Sequence, residues 1–478
     1  MTRTVLAIDQ GTSGTKAIVV CPERGVLATA TVDLHPRYGN DGAVEIDPEL
    51  LLSSVVEAGR RALDLAGEPV AAVGLANQGE TVLAWDRATG TPLTPAIVWQ
   101  DRRSAALCAQ LAPAGGRLAE LTGLPLDPYF AAPKLAWLRR MLTRDGVAAT
   151  SDSWLVQRLT GAFVTDATTA SRTMLLDLDR VEWSAEALGV FGLQDEALPA
   201  VVDCAGPVGM TRAFGDASLP LTGLVVDQQA ALLAQGCLAA GDAKCTYGTG
   251  AFLLANAGGP VRSSAGLSTS VAWRLAGEPA YCADGQVFTV ASAVRWLTEL
   301  GIITGPQDLD AVGGSVPDSA GVTFLPALAG LGAPHWRPDA TGTLTGLTLG
   351  TTPAHVVRAL LDGIAAQVTD LALAVEADLG GRLGPLRVDG GLTRSRLLMQ
   401  TQADLLQLPV QVNATADATA LGVAALAWLG LDPSLTVAGV LAFPGLAPAA
   451  PAEQFEPQLA PDQAAERMHR HRALLTST

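Results

Sequence analysis

The sequence predicts an α/β fold with more than one domain, and three observations carry that prediction. At 478 residues, 49% hydrophobic and 16% charged, the chain can build two or three sizeable cores. Short strand-like runs end repeatedly at an aspartate: the apolar residues 5–8 at Asp9 and 224–226 at Asp227, and Leu386-Arg387-Val388 at Asp389. A strand, a Gly/Thr turn and a second strand open the chain and return at residues 242–255, although no strict repeat at a fixed period accompanies the pattern. Residues 236–241 make the best junction and divide the chain into 1–238 and 239–478.

The opening stretch is Val5-Leu6-Ala7-Ile8-Asp9-Gln10-Gly11-Thr12-Ser13-Gly14-Thr15-Lys16, followed by a second apolar strand to residue 20. Glycines let backbone approach a ligand, and N–H groups with hydroxyls in such a turn cradle phosphate. Lys16 adds a cation. Asp9 beside phosphate donors points to Mg²⁺, which takes one or two carboxylates plus phosphate oxygens. A hairpin turn with a capping aspartate is the plainer alternative. Residues 26–32 give a third, antiparallel strand, and Asp47-Pro48-Glu49 opens a helix through Ala66. The buried strand 70–76 ends in Asn77-Gln78-Gly79-Glu80, a polar cluster where α/β proteins place ligands, though a solvated turn reads as well. Residues 82–85 and 96–99 form a hairpin, after which Asp101 is set to cap a helix. Trp99 is either core or a face for the carbon skeleton of a polyol. Asp127-Pro128-Tyr129-Phe130 is a turn before a helix over 132–141; another helix starts at Ser151, and residues 166–172 read as a polar loop.

Asp227 ends a buried strand and hands over to an apolar helix over 230–238. It serves equally as an N-cap or as a general base beside a substrate hydroxyl. Past the junction, Tyr247-Gly248-Thr249-Gly250 repeats the opening turn, and helices follow over 287–300 and from Thr352-Pro353 to about Leu379. Between them, Gly332-Ala333-Pro334-His335-Trp336 belongs to an irregular loop; His335 and His355 lack partners at ligand spacing and read as structural. Leu386-Arg387-Val388-Asp389-Gly390-Gly391 is a strand ending in glycines, with a helix from about Arg394, and such a helix N-terminus seats a nucleotide. Residues 417–429 form the last strong helix. The Pro- and Ala-rich remainder is peripheral, with a closing helix from Pro461.

The net charge of −16, without basic clusters, excludes nucleic acid and anionic membranes as expected partners. Six scattered cysteines without a C-x-x-C pair argue against a zinc site or disulfide framework and for a reducing compartment. The chain enters a strand almost at once, so no signal peptide is expected, and no apolar run is long enough for a spanning helix. The expected setting is cytoplasmic.

Asp9-Gln10-Gly11-Thr12, Ile97-Val98-Trp99-Gln100-Asp101-Arg102-Arg103, Asp127-Pro128-Tyr129-Phe130, Asp227-Gln228-Gln229-Ala230, Tyr247-Gly248-Thr249-Gly250, Gly332-Ala333-Pro334-His335-Trp336, Asp389-Gly390-Gly391 and Ala420-Leu421-Gly422 occur in this order. Over residues 4 to about 430 the chain thereby resembles the FGGY carbohydrate kinases, and within them the glycerol kinases. The resemblance implies two actin-like (ribonuclease H-like) domains with an ATP/sugar cleft between them, the first holding the sugar or polyol and the second the nucleotide. It implies transfer of a phosphoryl group from Mg²⁺·ATP to a terminal hydroxyl. It makes Asp227 the base and Asp9 the metal-positioning carboxylate. It assigns Thr12, Ser13, Gly14, Lys16 and Thr249 to phosphates, and Gly391 to the adenine nucleotide. Glu80, Tyr129, Asp227 and Gln228 would hold the polyol, with Trp99 against its carbons. Homodimers or homotetramers are common in the family, without a separable interface signal in this sequence.

Departures from the family pattern qualify the substrate. Gly79 stands where glycerol kinases carry Arg, which removes a fork able to bond vicinal hydroxyls and leaves room for a larger alditol or ketose of the erythritol, xylitol or xylulose type. On the nucleotide side Ser395 replaces Asn, Arg295 replaces Gln and Ala291 replaces Gly; Ala131 and Pro133 replace Ser and Thr. Phe214-Gly215-Asp216-Ala217-Ser218-Leu219 is acidic and short where some relatives carry a basic sugar-bisphosphate loop, so no such regulation is expected. A non-catalytic nucleotide- or sugar-binding relative is the competing class, set against the presence of both Asp9 and Asp227. A nicotinamide dehydrogenase is disfavoured because no G-x-G-x-x-G follows a strand with an acidic residue about 20 positions on.

Overall fold

The computed structural model describes residues 4–413, 417–448 and 450–477. Two compact units divide the chain: residues 1–236, 269–282 and 417–448 form the first, and 237–268, 283–416 and 449–478 the second. The first unit thus regains chain from well beyond its main segment.

Its main sheet has six strands in the order Ala205–Thr211, Leu219–Val226, Ala72–Asn77, Val5–Gln10, Gly14–Cys21 and Gly25–Asp33. The apolar residues of the opening strand are fully buried because it lies in the middle, parallel to Ala72–Asn77 and antiparallel to Gly14–Cys21. Leu219–Val226 adds a third parallel strand. Successive side chains point to opposite faces. Val73 and Leu75 join Leu51 and Val55 of helix Pro48–Ala66 in one core, whereas Gly74 faces helix Ala418–Leu431. Helix Pro48–Ala66 starts as the sequence predicts, with the Asp47 carboxylate accepting from the Glu49 N–H.

Helix Ala418–Leu431 is apolar on every side, the pattern of a helix buried all round. It approaches the sheet backbone to backbone. A Cβ on Gly74 would lie 2.7 Å from the Val423 carbonyl oxygen, and one on Gly223 2.7 Å from the Ala427 nitrogen. Its own Gly422 packs against helix Asp227–Ala234. A second, five-stranded sheet contains the expected hairpin, with Val82 opposite Ile97.

The second unit repeats the local design. Ala243–Tyr247 and Ala251–Asn256 are antiparallel across the Gly248-Thr249-Gly250 turn, and Leu386–Asp389 runs parallel to the first of them. Val410–Val412 and Glu453–Phe455 continue the sheet beyond Leu386–Asp389. Helices Ala291–Glu299, Pro353–Leu379 and Arg396–Leu406 bury their apolar faces in its core. Among the described residues no helix is long and apolar enough to cross a membrane, and all six cysteines are buried thiols outside any disulfide.

Four local expectations need correction. Residues 166–172 are not an irregular loop: Ala167–Ser171 is a helical turn whose cap, Asp166, accepts from the Thr168 and Thr169 N–H groups. Asp101 caps no helix; its carboxylate binds the Val44 N–H at 2.9 Å and the Arg103 side chain, and the helix begins at Ala105. Asp227 is the first helical residue rather than the N-cap, which is Val226. Strand Glu278–Val287 takes the start of the region predicted as helix, leaving Ala291–Glu299.

Candidate active site

Three parallel strands of the first unit end side by side. Gln10 is in register with Asn77, and Asn77 with Val226. Asp9, the Gln78-Gly79-Glu80 turn and Asp227 therefore collect at one carboxyl edge of the sheet. There a ligand meets the strand ends of an open α/β sheet. The strand of Asp9 and the strand that leads into Asp227 lie two apart in the sheet, about 10 Å at the usual interstrand spacing. Both are part-exposed. Burial drives the Asp9 carboxyl up to about 7; the Asp227 charge adds to the rise, Lys16 opposes it and Asp417 adds to it. This surplus of negative charge is the environment that a cation relieves.

The opening turn is closed by the Gly11 N–H to the Gly14 carbonyl at 3.0 Å, with Ser13 exposed at its tip. A Cβ on Gly14 would stand 3.1 Å from the Val32 carbonyl oxygen, so glycine lets the adjacent strand close in. Thr12 donates to the Gln78 side-chain carbonyl at 3.1 Å and accepts from the Trp99 indole N–H at 2.8 Å. Lys16 is part-exposed and paired with Asp417 at 2.8 Å, rather than pointing at an isolated phosphate subsite.

The Thr12 hydroxyl links the turn to the residues expected to hold a polyol. Trp99 packs against the core, one of the two readings the sequence leaves open, and meets Tyr129 edge-on, with ring centres 5.6 Å apart. Tyr129 is fixed from its loop, where its N–H and Arg102 both reach Asp127, at 2.8 and 3.1 Å. Behind that loop lies Lys134, 1% exposed, which donates to the carbonyls of Pro128, Tyr129 and Phe130. Burial pulls the Lys134 ammonium down to about 7, against the upward pull of Glu80, Asp101 and Asp127. Three carbonyl acceptors match the three N–H bonds of the charged form. Glu80 is buried, adopts φ 57° and pairs with Arg172, Nε to Oε1 at 2.6 Å. Gln228 follows Asp227 in the helix, and its N–H donates to the Asp227 carboxylate at 2.6 Å. A Cβ on Gly79 would make ordinary contact with Val226 at 3.5 Å, so a side chain is sterically admissible there and its absence opens space.

In the second unit, Thr249 is exposed at the tip of its turn. Its carbonyl accepts from the Val290 N–H at 3.0 Å and the Ser292 hydroxyl at 3.1 Å, which sets helix Ala291–Glu299 against the turn. Arg295 lies on that helix, its side chain 72% exposed and 3.8 Å from Glu299. Gly390 has φ 99° and leaves no room for a Cβ beside the Tyr247 backbone, whereas Gly391 faces open space. Ser395 has a structural role: it caps helix Arg396–Leu406, accepting from the Leu398 N–H, and bonds Asp310 at 2.5 Å. Asp310 also takes the Arg396 N–H, so that helix N-terminus is already neutralised by a protein carboxylate.

Sequence reasoning missed Arg172, Lys134 and Asp417. A buried lysine three residues into a helix is a weak local signal. The other two act on partners 92 and 401 positions away. Among the described residues, no group of three or more His, Cys, Asp or Glu side chains is placed to hold a metal. The donor set nevertheless suits Mg²⁺, which draws most of its oxygens from phosphates and water and needs one or two carboxylates.

Two units built on a strand–turn–strand with a parallel neighbour, and a carboxylate edge beside a Gly/Thr turn, define an actin-like carbohydrate kinase. Residues 4–234 match the N-terminal domain, and residues 243–431 the C-terminal domain, of the FGGY family of carbohydrate kinases. The glycerol kinase of Alkalilimnicola ehrlichii is 46% identical over 441 residues, covering 88% of this chain and 89% of that one. The glycerol kinase of Thermus brockianus is 45% identical over 437 residues, covering 88% of each. Plasmodium falciparum glycerol kinase with ADP superposes with a TM-score of 0.92 at 29% identity, over 100% of this chain and 98% of that one. The xylulose kinase of Rhodospirillum rubrum gives 0.87 at 25% identity, over 99% of each. The chain belongs to the FGGY family and is an ATP-dependent sugar or polyol kinase.

Proposed function

We propose that this kinase phosphorylates a terminal hydroxyl of a glycerol-like polyol, with Asp227 as general base. The observation that carries the proposal is the shared carboxyl edge of three parallel strands, where Asp9, Glu80 and Asp227 collect and Thr12 joins the phosphate turn to Trp99. Asp227 is part-exposed at the start of its helix, and its carboxylate is held by the Gln228 N–H, which suits a base that takes a proton from the acceptor hydroxyl. Glu80, Tyr129 and Gln228 hold the other hydroxyls, and Trp99 lies along the carbons. Phosphoryl transfer asks mainly for positioning and charge neutralisation. Mg²⁺ bound with ATP supplies the charge neutralisation, and Asp9 is the residue that would hold it. Thr12, Ser13 and Gly14 present the opening turn to phosphate, with Lys16 adding charge beside it. Thr249, Arg295 and Gly391 of the second unit are the nucleotide contacts, and Ser395, expected among them from the sequence, instead shapes the helix start.

A second reading keeps the chemistry and changes the acceptor. The open space beside Gly79 favours a four- or five-carbon alditol or ketose over glycerol. A coupled ADP-release screen over glycerol, erythritol, threitol, xylitol, ribitol, erythrulose and xylulose separates the two. By far the highest kcat/KM on glycerol selects the first reading. A larger acceptor at least about tenfold better selects the second, a difference of about 1.4 kcal/mol in transition-state binding. No ADP release with any acceptor refutes both.

A further inference from the structure

We propose that Arg172 is the positioning residue of the acceptor site, locking the Glu80 carboxylate so that it presents fixed acceptor oxygens to polyol hydroxyls. The inference rests on the reading of Glu80 as acceptor-binding. Arg172 and Glu80 are each 5% exposed and joined at 2.6 Å. Arginine keeps its charge inside proteins, so Glu80 faces a permanent cation and acts as an acceptor only. The Arg172 guanidinium carbon lies 5.7 Å from the Tyr129 ring centre and 5.3 Å from that of Phe130, so one side chain braces both Glu80 and the Tyr129 loop.

The backbone of Glu80 points the same way. A non-glycine residue at φ 57° is uncommon, and it persists where its surroundings over-determine it. Arg172 is one such determinant and is itself well anchored. It follows the helical turn Ala167–Ser171, capped by Asp166. The Thr168 hydroxyl in that turn accepts from the Val226 N–H at 2.9 Å, directly before Asp227. The turn therefore fixes Arg172 to the strand that delivers Asp227. Removing Arg172 takes from the buried Glu80 carboxylate the ion-pair partner it meets at 2.6 Å, which loosens its position and weakens its charged form.

The test uses the full chain with R172Q, R172K, E80Q and the double variant R172Q/E80Q, the best acceptor from the polyol screen, and thermal melts as a folding control. R172Q and E80Q are each expected to lower kcat/KM for the polyol by about 100-fold, mainly through KM, with the KM for ATP changed less than about twofold. The double variant should be no worse than about threefold below either single, because both remove one unit. R172K, which keeps the charge but loses the planar fork, should recover about tenfold over R172Q. Multiplicative losses in the double variant, or R172Q within about threefold of the parent, overturn the coupling. An unchanged polyol KM in E80Q alone refutes the acceptor role of Glu80 instead. Should R172Q not fold, R172K carries the test: a polyol KM raised about tenfold supports the proposal, and an unchanged one overturns it.

Discussion

Gly422→Ala is a one-carbon change, remote in sequence from the site, that should disable it. The added Cβ would stand 1.9 Å from the Ala230 carbonyl oxygen and 2.5 Å from its carbon, where ordinary contact begins at 3.4 Å. The obstructing atoms are backbone, so no rotamer change relieves the clash. Helices Ala418–Leu431 and Asp227–Ala234 must part by about 1.5 Å, as read from that shortfall. Helix Ala418–Leu431 cannot retreat, because Gly74 and Gly223 already hold it against the sheet. The displacement therefore falls on the helix that begins with Asp227. Overpacking of this kind destabilises by about 1–3 kcal/mol, a drop of about 3–10 °C in Tm for a unit of this size. A misplacement of about 1 Å near reacting groups lowers kcat by about 100-fold. A melt and steady-state kinetics on the purified variant check both numbers. A Tm within about 1 °C of the parent together with kcat within about twofold would show that the two helices tolerate the added carbon without moving Asp227.

Lys134→Met removes the donor to three buried carbonyls. Tm should fall by several degrees and the polyol KM should rise with ATP binding intact; an unchanged polyol KM contradicts the view that Lys134 sets the Tyr129 loop. His471 is buried with both ring nitrogens unpartnered, and burial lowers its imidazole to about 4. A base lowered on folding keeps its full stability above its unfolded pKa near 6.5 and loses it as pH falls from there toward 4, by about 3 kcal/mol at most. Urea titrations at pH 7 and pH 4.5 should therefore differ less for His471→Leu than for the parent, and equal differences count against the assignment. Gly79→Arg should shift preference toward glycerol relative to larger acceptors, since a Cβ fits against Val226; a rise in preference for the larger acceptor would contradict the space argument.

What the sequence discloses here is local chemistry. Asp9 through Lys16, Asn77 through Glu80, Asp227 and the Gly248-Thr249-Gly250 turn each combine an apolar strand with a polar end in a few residues, so periodicity finds them. What it conceals is convergence. Nothing near Lys16 announces Asp417, and nothing near Glu80 announces Arg172, because those pairs are made where helix ends pack against the strand ends and not by spacing. Residues 166–172 look like a polar loop because their polar side chains are spent locally: the Asp166 carboxylate accepts from the N–H and hydroxyl groups of Thr168 and Thr169. Helix Ala418–Leu431 did carry a usable signal. It is apolar on every side, which demands neighbours all round, and the first unit supplies them through its glycines.

Whether Asp227 takes the proton is decided by the turnover of Asp227→Asn with ATP and the best acceptor from the screen. The carboxamide keeps the size of the side chain and removes its basicity. With Asp227 as the base, polyol binding should stay within a few-fold of the parent and kcat should fall by about 1,000-fold, in the range of a lost general base. A variant that keeps more than about a tenth of parental kcat would contradict Asp227 as the base.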